Sequence, residues 1–124
     1  MPTQETRRVA RAYFDAWTSA QGSDAVRPLM APEFLFDAGI TSIESRDEFL
    51  AAGGWPKGAS TSMLSAAYDG EHAFQLYEAV NGQARVKIAE HLTVREGVVA
   101  SSENVVDPLA FGGFMADSET MPAR

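Results

Sequence analysis

The chain has 124 residues, the size of one well-packed domain and too few for two. Hydrophobic residues make up 45% and charged residues 22%, a globular composition that excludes a disordered chain or a fibrous repeat. Ten Lys+Arg against seventeen Asp+Glu give a net charge of -7, which argues against nucleic-acid or anionic-lipid partners, and the absence of Cys excludes disulfides, thiolate metal sites and Cys nucleophiles.

Val9, Tyr13, Ala16, Trp17 and Ala20 recur at spacings of three and four, with Arg7, Arg8, Arg11 and Asp15 on the remaining surface, which predicts an amphipathic helix from Gln4 to Ala20. Ser23-Asp24 offers N-cap oxygens to a short second helix carrying Val26, Leu29 and Met30, and Pro32 closes the helical region. The aromatic run Glu33 to Asp37 reads as a strand ending at Ala38-Gly39. Ser45-Arg46-Asp47-Glu48 has the capping-box pattern and starts a third helix with Phe49 and Leu50 on its apolar side, stopped by Gly53-Gly54.

After Trp55-Pro56-Lys57-Gly58 the pattern changes to period two. Four strands are predicted, about Thr61 to Tyr68, His72 to Val80, Ala84 to Arg95 and Val98 to Val106, separated by turn signals at Asp69-Gly70, Asn81-Gly82 and Glu96-Gly97. Helices followed by an antiparallel meander make the fold class α+β. No further helix is signalled, and Asp117 to Arg124 reads as a loosely held tail. With no apolar run of about 18 residues and no apolar signal-peptide core, a soluble, cytoplasmic protein is expected.

Several polar groups fall where the pattern asks for apolar ones. Glu90 shares a strand face with Val86, Ile88, Leu92 and Val94; a carboxylate there is paired, protonated or at the edge of a cavity. A buried ion pair and a pocket acid of raised pKa both satisfy the pattern. Glu78 depends on the hairpin. A two-residue Asn81-Gly82 turn sets it opposite Arg85, exposed, whereas a three-residue loop sets it opposite Val86, beside Glu90; gathering Phe74, Leu76, Val80, Val86 and Ile88 on one face favours the loop. Asp37 sits at the rim of any cavity between sheet and helices, or simply caps a turn. Ser102 and Asn104 lie among valines on the last strand, as ligand contacts or as sheet hydrogen bonds. Tyr13 and Trp17 belong to the buried stripe of the first helix. Glu90 and His91 point opposite ways and His72 lies beside a turn, so no protein-ligated metal is expected, and no phosphate or dinucleotide motif is present.

The order of elements, with Val9 to Trp17, Met30 to Asp37, Val94 to Val99 and Asn104 to Pro108, resembles the nuclear transport factor 2-like superfamily, in its SnoaL-like and ketosteroid-isomerase-like branch. The resemblance covers about Thr6 to Pro108. It implies a cone-shaped, strongly bent antiparallel or mixed sheet wrapped around one long and two short helices, a cystatin-like roll over residues 1–108 enclosing a deep apolar cavity. Residues 109–124 would then be a tail that caps the cavity or joins a dimer contact.

By the same resemblance Asp37 is the general base, and Tyr13 with Glu90 are the oxyanion donors, of a cofactor-independent isomerase or cyclase acting on a small apolar carbonyl compound, with Asn104, Glu78, Trp17 and Ser102 binding it. A non-catalytic ligand-binding or dimerisation module of the same fold is the alternative. The epoxide-hydrolase branch is less well matched, because Ile88 and Asn104 stand where it has Arg and Asp. A homodimer through the outer sheet face, carrying Tyr77, Ala79 and Ala89, is also expected.

Overall fold

The computed structural model describes residues 2–19, 22–39, 41–52 and 54–120. Helix α1 spans Pro2–Thr18, and the short helix α2, Ser23–Val26, tightens into a 3-10 turn at Arg27–Leu29. Strands β1 (Met30–Asp37) and β2 (Ser42–Ile43) precede helix α3 (Arg46–Ala52). A meander follows: β3 (Ser60–Asp69), β4 (His72–Asn81), β5 (Ala84–Arg95) and β6 (Val98–Val106), and then helix α4 (Pro108–Thr120). The strands form one sheet in the order β2-β1-β6-β5-β4-β3, antiparallel throughout except where β1 runs parallel to β6. This is the expected α+β class with a mixed sheet. No described helix is long and apolar enough to cross a membrane.

Helix α1 buries Val9, Ala10 and Tyr13, with Ala16 and Trp17 half-buried along the same stripe. Two hydroxyls fix its start: Thr6 Oγ1 donates to the Gly70 carbonyl at 2.6 Å and Thr3 Oγ1 accepts from the Gly70 amide at 3.0 Å, so the β3–β4 turn is held to the helix. Gly22, not Ser23 or Asp24, occupies the N-cap of α2, at φ 97° and with no side-chain cap. The expectation for Ser45 holds, since its Oγ accepts from the Glu48 amide at 3.0 Å. Pro32 lies inside β1 and does not close a helical region. β2 pairs only with Phe36 and Asp37, so Pro32 has no neighbour on that side to which an amide would be owed.

The largest departure concerns the phase of β4. Asn81 pairs with Ala84 and the turn is Gly82-Gln83, with Gly82 at φ 63°, a conformation that favours glycine. Ala73, Gln75, Tyr77, Ala79 and Asn81 therefore point inward and are buried, while Phe74 and Leu76 are 47% and 37% exposed. Glu78 pairs with Lys87 and forms an ion pair with Arg85 at 3.2 Å, on the face opposite Glu90. The expected three-residue loop is thus incorrect, as is the placement of Tyr77 and Ala79 outside. Collecting the larger apolar residues misled because β4 is apolar on both faces, and the deciding residue is Asn81, whose buried Nδ2 donates to the Phe114 carbonyl at 3.0 Å.

The segment after Pro108 is a helix and not a tail. Asp107-Pro108 is the signal that marks it: the Asp107 carboxylate accepts from the Leu109 amide at 3.0 Å, and Pro108 takes the first helical position. Residues 117–120, expected to be loose, continue the helix; residues 121–124 lie outside the described residues. The interior divides into two apolar groups. Val9, Tyr13, Phe34, Phe49, Leu92 and Val99 pack where α1 and α3 meet the sheet, and Tyr77, Ala79, Val86, Ile88 and Phe114 pack under α4. Phe114 is fully buried and meets Trp55 with ring centroids 5.1 Å apart. Phe114→Ala is therefore expected to cost about 3–5 kcal/mol in denaturant unfolding. A loss below about 1 kcal/mol would mean that α4 is not part of the cooperative core.

Candidate functional site

Between the two apolar groups lies a cavity of about 450 Å³. Tyr13, Phe14 and Trp17 from α1, Phe36 from β1 and Phe49 from α3 form one wall; Trp55, Phe111 and Met115 form another. Trp17 stacks on Phe49 at 5.2 Å, Phe36 lies 4.7 Å from Phe49, and Phe14 meets Tyr77 edge-on at 5.0 Å. The floor comes from the sheet, with Tyr77, Ile88, Glu90, Ser102, Asn104 and Val106. Exposed positions at Ala52, Gly54, Pro108 and Gly112 mark the mouth.

Polar groups converge on Glu90. Gln75 on β4 and Asn104 on β6 are its two cross-strand partners, so one row of the sheet carries all three inward. Ser102 Oγ donates to Glu90 Oε2 at 2.6 Å while accepting from Asn104 Nδ2 at 2.9 Å. Gln75 Nε2 donates to Glu90 Oε1 at 3.3 Å, and the Tyr77 hydroxyl donates as well. Burial raises the Glu90 pKa above the usual carboxylate range, and the bonds from Ser102, Gln75 and Tyr77 oppose the rise. Burial, with Glu90 close by, keeps Tyr13 and Tyr77 well above the ordinary tyrosine value, so both are neutral donors. Among the described residues lining the cavity, Glu90 is the one that can carry charge at neutral pH; no Lys, Arg or His is present. The buried Gln75 Oε1 and Trp55 Nε1 have no hydrogen-bond partner.

Of the residues singled out from sequence, Tyr13, Trp17, Glu90, Ser102 and Asn104 line this one cavity. Asp37 and Glu78 do not. Phe34 and Phe36 point inward along β1, which turns Asp37 to the outer face opposite Glu103, where its Oδ1 accepts from the Gly39 amide at 2.8 Å. It caps a turn, the more ordinary of its two roles. The expected triad of Asp37, Tyr13 and Glu90 is therefore not assembled. Gln75 and Tyr77 are network and cavity residues that sequence reasoning missed, because the phase of β4 is the inverse of the expected one; Phe111 and Met115 line the cavity from the segment expected to cap it, and Trp55 joins them.

No group of three or more His, Cys, Asp or Glu that could hold a metal occurs among the described residues. On the outer face of the same strands, His72 Nδ1 lies 2.9 Å from His91 Nε2, and His91 Nδ1 lies 2.9 Å from Glu103 Oε1.

No protein-family model and no curated protein matches the chain. Solved structures do. A candidate ketosteroid isomerase from Kribbella flavida aligns at TM-score 0.77 and 20% identity over 85% of this chain and 79% of that one. A candidate SnoaL-like polyketide cyclase from Jannaschia sp. CCS1 aligns at 0.76 and 16% over 92% and 93%. An LEH-like epoxide hydrolase of M. tuberculosis aligns at 0.71 and 15% over 98% and 96%. At these identities the likeness is one of fold.

Because the folded state holds the Glu90 proton more tightly than the unfolded chain does, its contribution to stability is fully present at acidic pH. It is lost as pH rises from the usual carboxylate range through the folded value. Glu90→Gln removes that dependence. The difference in unfolding free energy between Glu90→Gln and the parent is expected to shift in favour of the variant as pH rises from about 4 to about 8, starting near the unperturbed Glu value. A difference independent of pH would show Glu90 to be solvated.

Proposed function

We propose, from the premise that the chain has the nuclear transport factor 2-like fold, that its cavity binds one small, largely apolar carbonyl compound and that Glu90 moves a proton on it without a cofactor. The observation that supports this reading is a single carboxyl of raised pKa, buried in an aromatic cavity and held by Ser102, Gln75 and Tyr77. Perturbed acids in apolar pockets are the usual equipment of proton transfer. In the ionised form Glu90 takes the proton next to the carbonyl, and the same group returns it to a second carbon in an isomerisation. The enolate oxygen that forms meets neutral donors already in the cavity, the Tyr13 hydroxyl and the second N–H of Asn104. Trp17 and Phe49 hold the apolar body.

This assignment differs from the one that the family resemblance implies, since the base is Glu90 and not Asp37. A second reading, a non-catalytic binding cavity, is favoured by that same displacement, which leaves one carboxyl where acid-base enzymes often use two. Epoxide opening has less support, because no Arg is among the described residues that line the cavity and Asn104 replaces an acid.

Proton exchange distinguishes the two. Exchange of hydrogen for deuterium beside the carbonyl of small apolar ketones, followed by NMR in D₂O, is expected with the parent protein and is expected to fall at least about 100-fold in Glu90→Gln. Asp37→Asn should stay within about twofold of the parent, as a turn cap on the other face requires. Ketone binding without any exchange would leave the non-catalytic reading.

We also propose that two copies pair through the outer sheet face, where Leu35, Phe74, Leu76 and Val105 are 42%, 47%, 37% and 76% exposed. Sedimentation at micromolar concentration should show a dimer. A monomer alone would refute it.

A further inference from the structure

The hydrogen bonds around Glu90 all run in one direction. Asn104 Nδ2 donates to Ser102 Oγ, so the Ser102 proton is turned to Glu90 Oε2; Gln75 Nε2 donates to Oε1; Tyr77 donates too. Every protein group that touches the carboxyl thus serves its ionised form. What a buried carboxylate requires in addition is a cation, and the described walls of the cavity supply none. They supply aromatic rings instead: Trp17 stacked on Phe49, Phe36 beside them, and Trp55 across the cavity. A ring face attracts an ammonium group, whereas an aliphatic wall does not.

We propose that the best-matched occupant of this cavity is a lipophilic amine in its protonated form, its ammonium group paired with Glu90 and its apolar body held between the aromatic walls. The proposal rests on the reading of this cavity as the ligand site and holds whether or not the protein is catalytic. For an enzyme such an amine is a competitive inhibitor, and for a binding protein it is the ligand class.

The titratable groups that face Glu90 are Tyr13 from α1 and Tyr77 from β4, both neutral; β6 brings Ser102 and Asn104, and α3 and α4 bring apolar side chains to the cavity. Affinity for an ammonium group must then follow the ionisation of Glu90 alone. It rises with pH, because the cation favours the carboxylate, until the amine itself loses its proton near pH 10. A neutral ligand that takes a hydrogen bond from protonated Glu90 shows the reverse slope.

The test uses two probes of nearly the same shape, 1-(2-naphthyl)ethylamine and the neutral ketone 2-acetylnaphthalene, with binding to the full chain measured by calorimetry from about pH 5 to about pH 8. The amine is expected to bind at least about tenfold more tightly at the upper end, to release a proton on binding and to tighten as pH rises. Glu90→Gln is expected to remove the tenfold preference through a loss of amine affinity. Equal affinities, a preference for the ketone, an amine affinity that falls with pH, or an amine preference that survives Glu90→Gln would each overturn the proposal. If Glu90→Gln fails to fold, the pH slope of the parent protein decides alone. Binding of the ketone only would leave the proposed function standing, and binding of neither would remove both.

Discussion

A carboxyl in the middle of β5, between Ile88 and Leu92, is the constraint on which the rest of the structure depends. Removing it from water is unfavourable unless donors replace the water, and in a sheet the nearest replacements are the cross-strand neighbours. Gln75 and Asn104 are those neighbours: Gln75 donates to the carboxylate directly, and Asn104 donates to Ser102, two residues before it on the same inward face of β6, which in turn donates to Glu90. Strand register is therefore part of the site. A one-residue slip of β4 against β5 would turn Gln75 and Tyr77 outward and bring Phe74 and Leu76 in, leaving Glu90 without two of its three donors.

That register is itself fixed at a distance from the carboxyl. Asn81 closes β4 with a buried side chain that reaches the Phe114 carbonyl, so the hairpin and α4 hold one another. Phe114 then fills the space beneath α4, and Phe111 and Met115 on the same helix face the cavity. Helix α4 has Gly112 and Gly113 within it, and a helix so composed draws its stability from packing more than from propensity. A domain of this size that keeps a cavity of about 450 Å³ has divided its core in two, and helix α4 covers the second half with Phe114, Phe111 and Met115.

How much of this could be read from the sequence follows from where patterns are one-sided. β5 alternates cleanly between Val86, Ile88, Leu92 and Arg85, Lys87, so its inward face, and Glu90 as the exception on it, were evident. The strand bounds of β3 to β6 were evident too, because glycine turns separate them. β4 was not readable in the same way. Its two faces, Phe74-Leu76-Val80 and Ala73-Tyr77-Ala79, are both apolar, and the residue that decides between them acts through a contact 33 positions away. Asp37 failed for a related reason: Leu35 makes the outer face of β1 apolar as well, and the resemblance to isomerases implies a cavity role for Asp37 at a point in β1 where Phe36 is the residue that points inward. Helix α4 was legible in Asp107-Pro108, but the glycines that follow obscured it.

The two faces of the central strands show what burial adds to a polar pair. Glu90 and His91 are consecutive, and each has a partner on β6: Ser102 for Glu90, Glu103 for His91. Outside, His91 and Glu103 are 29% and 62% exposed, and solvent screens their attraction until it is worth little. Inside, the same kind of contact lies among aromatic rings, where a bond made is stronger and a bond missing is more costly. A polar contact therefore weighs more in the fold on the inner face, although the outer one carries more charge. The carboxylates behind the net charge of -7 follow the same division: those at the surface are solvated, and Glu90, whose pKa burial raises, is the one whose charge depends on its surroundings inside the fold.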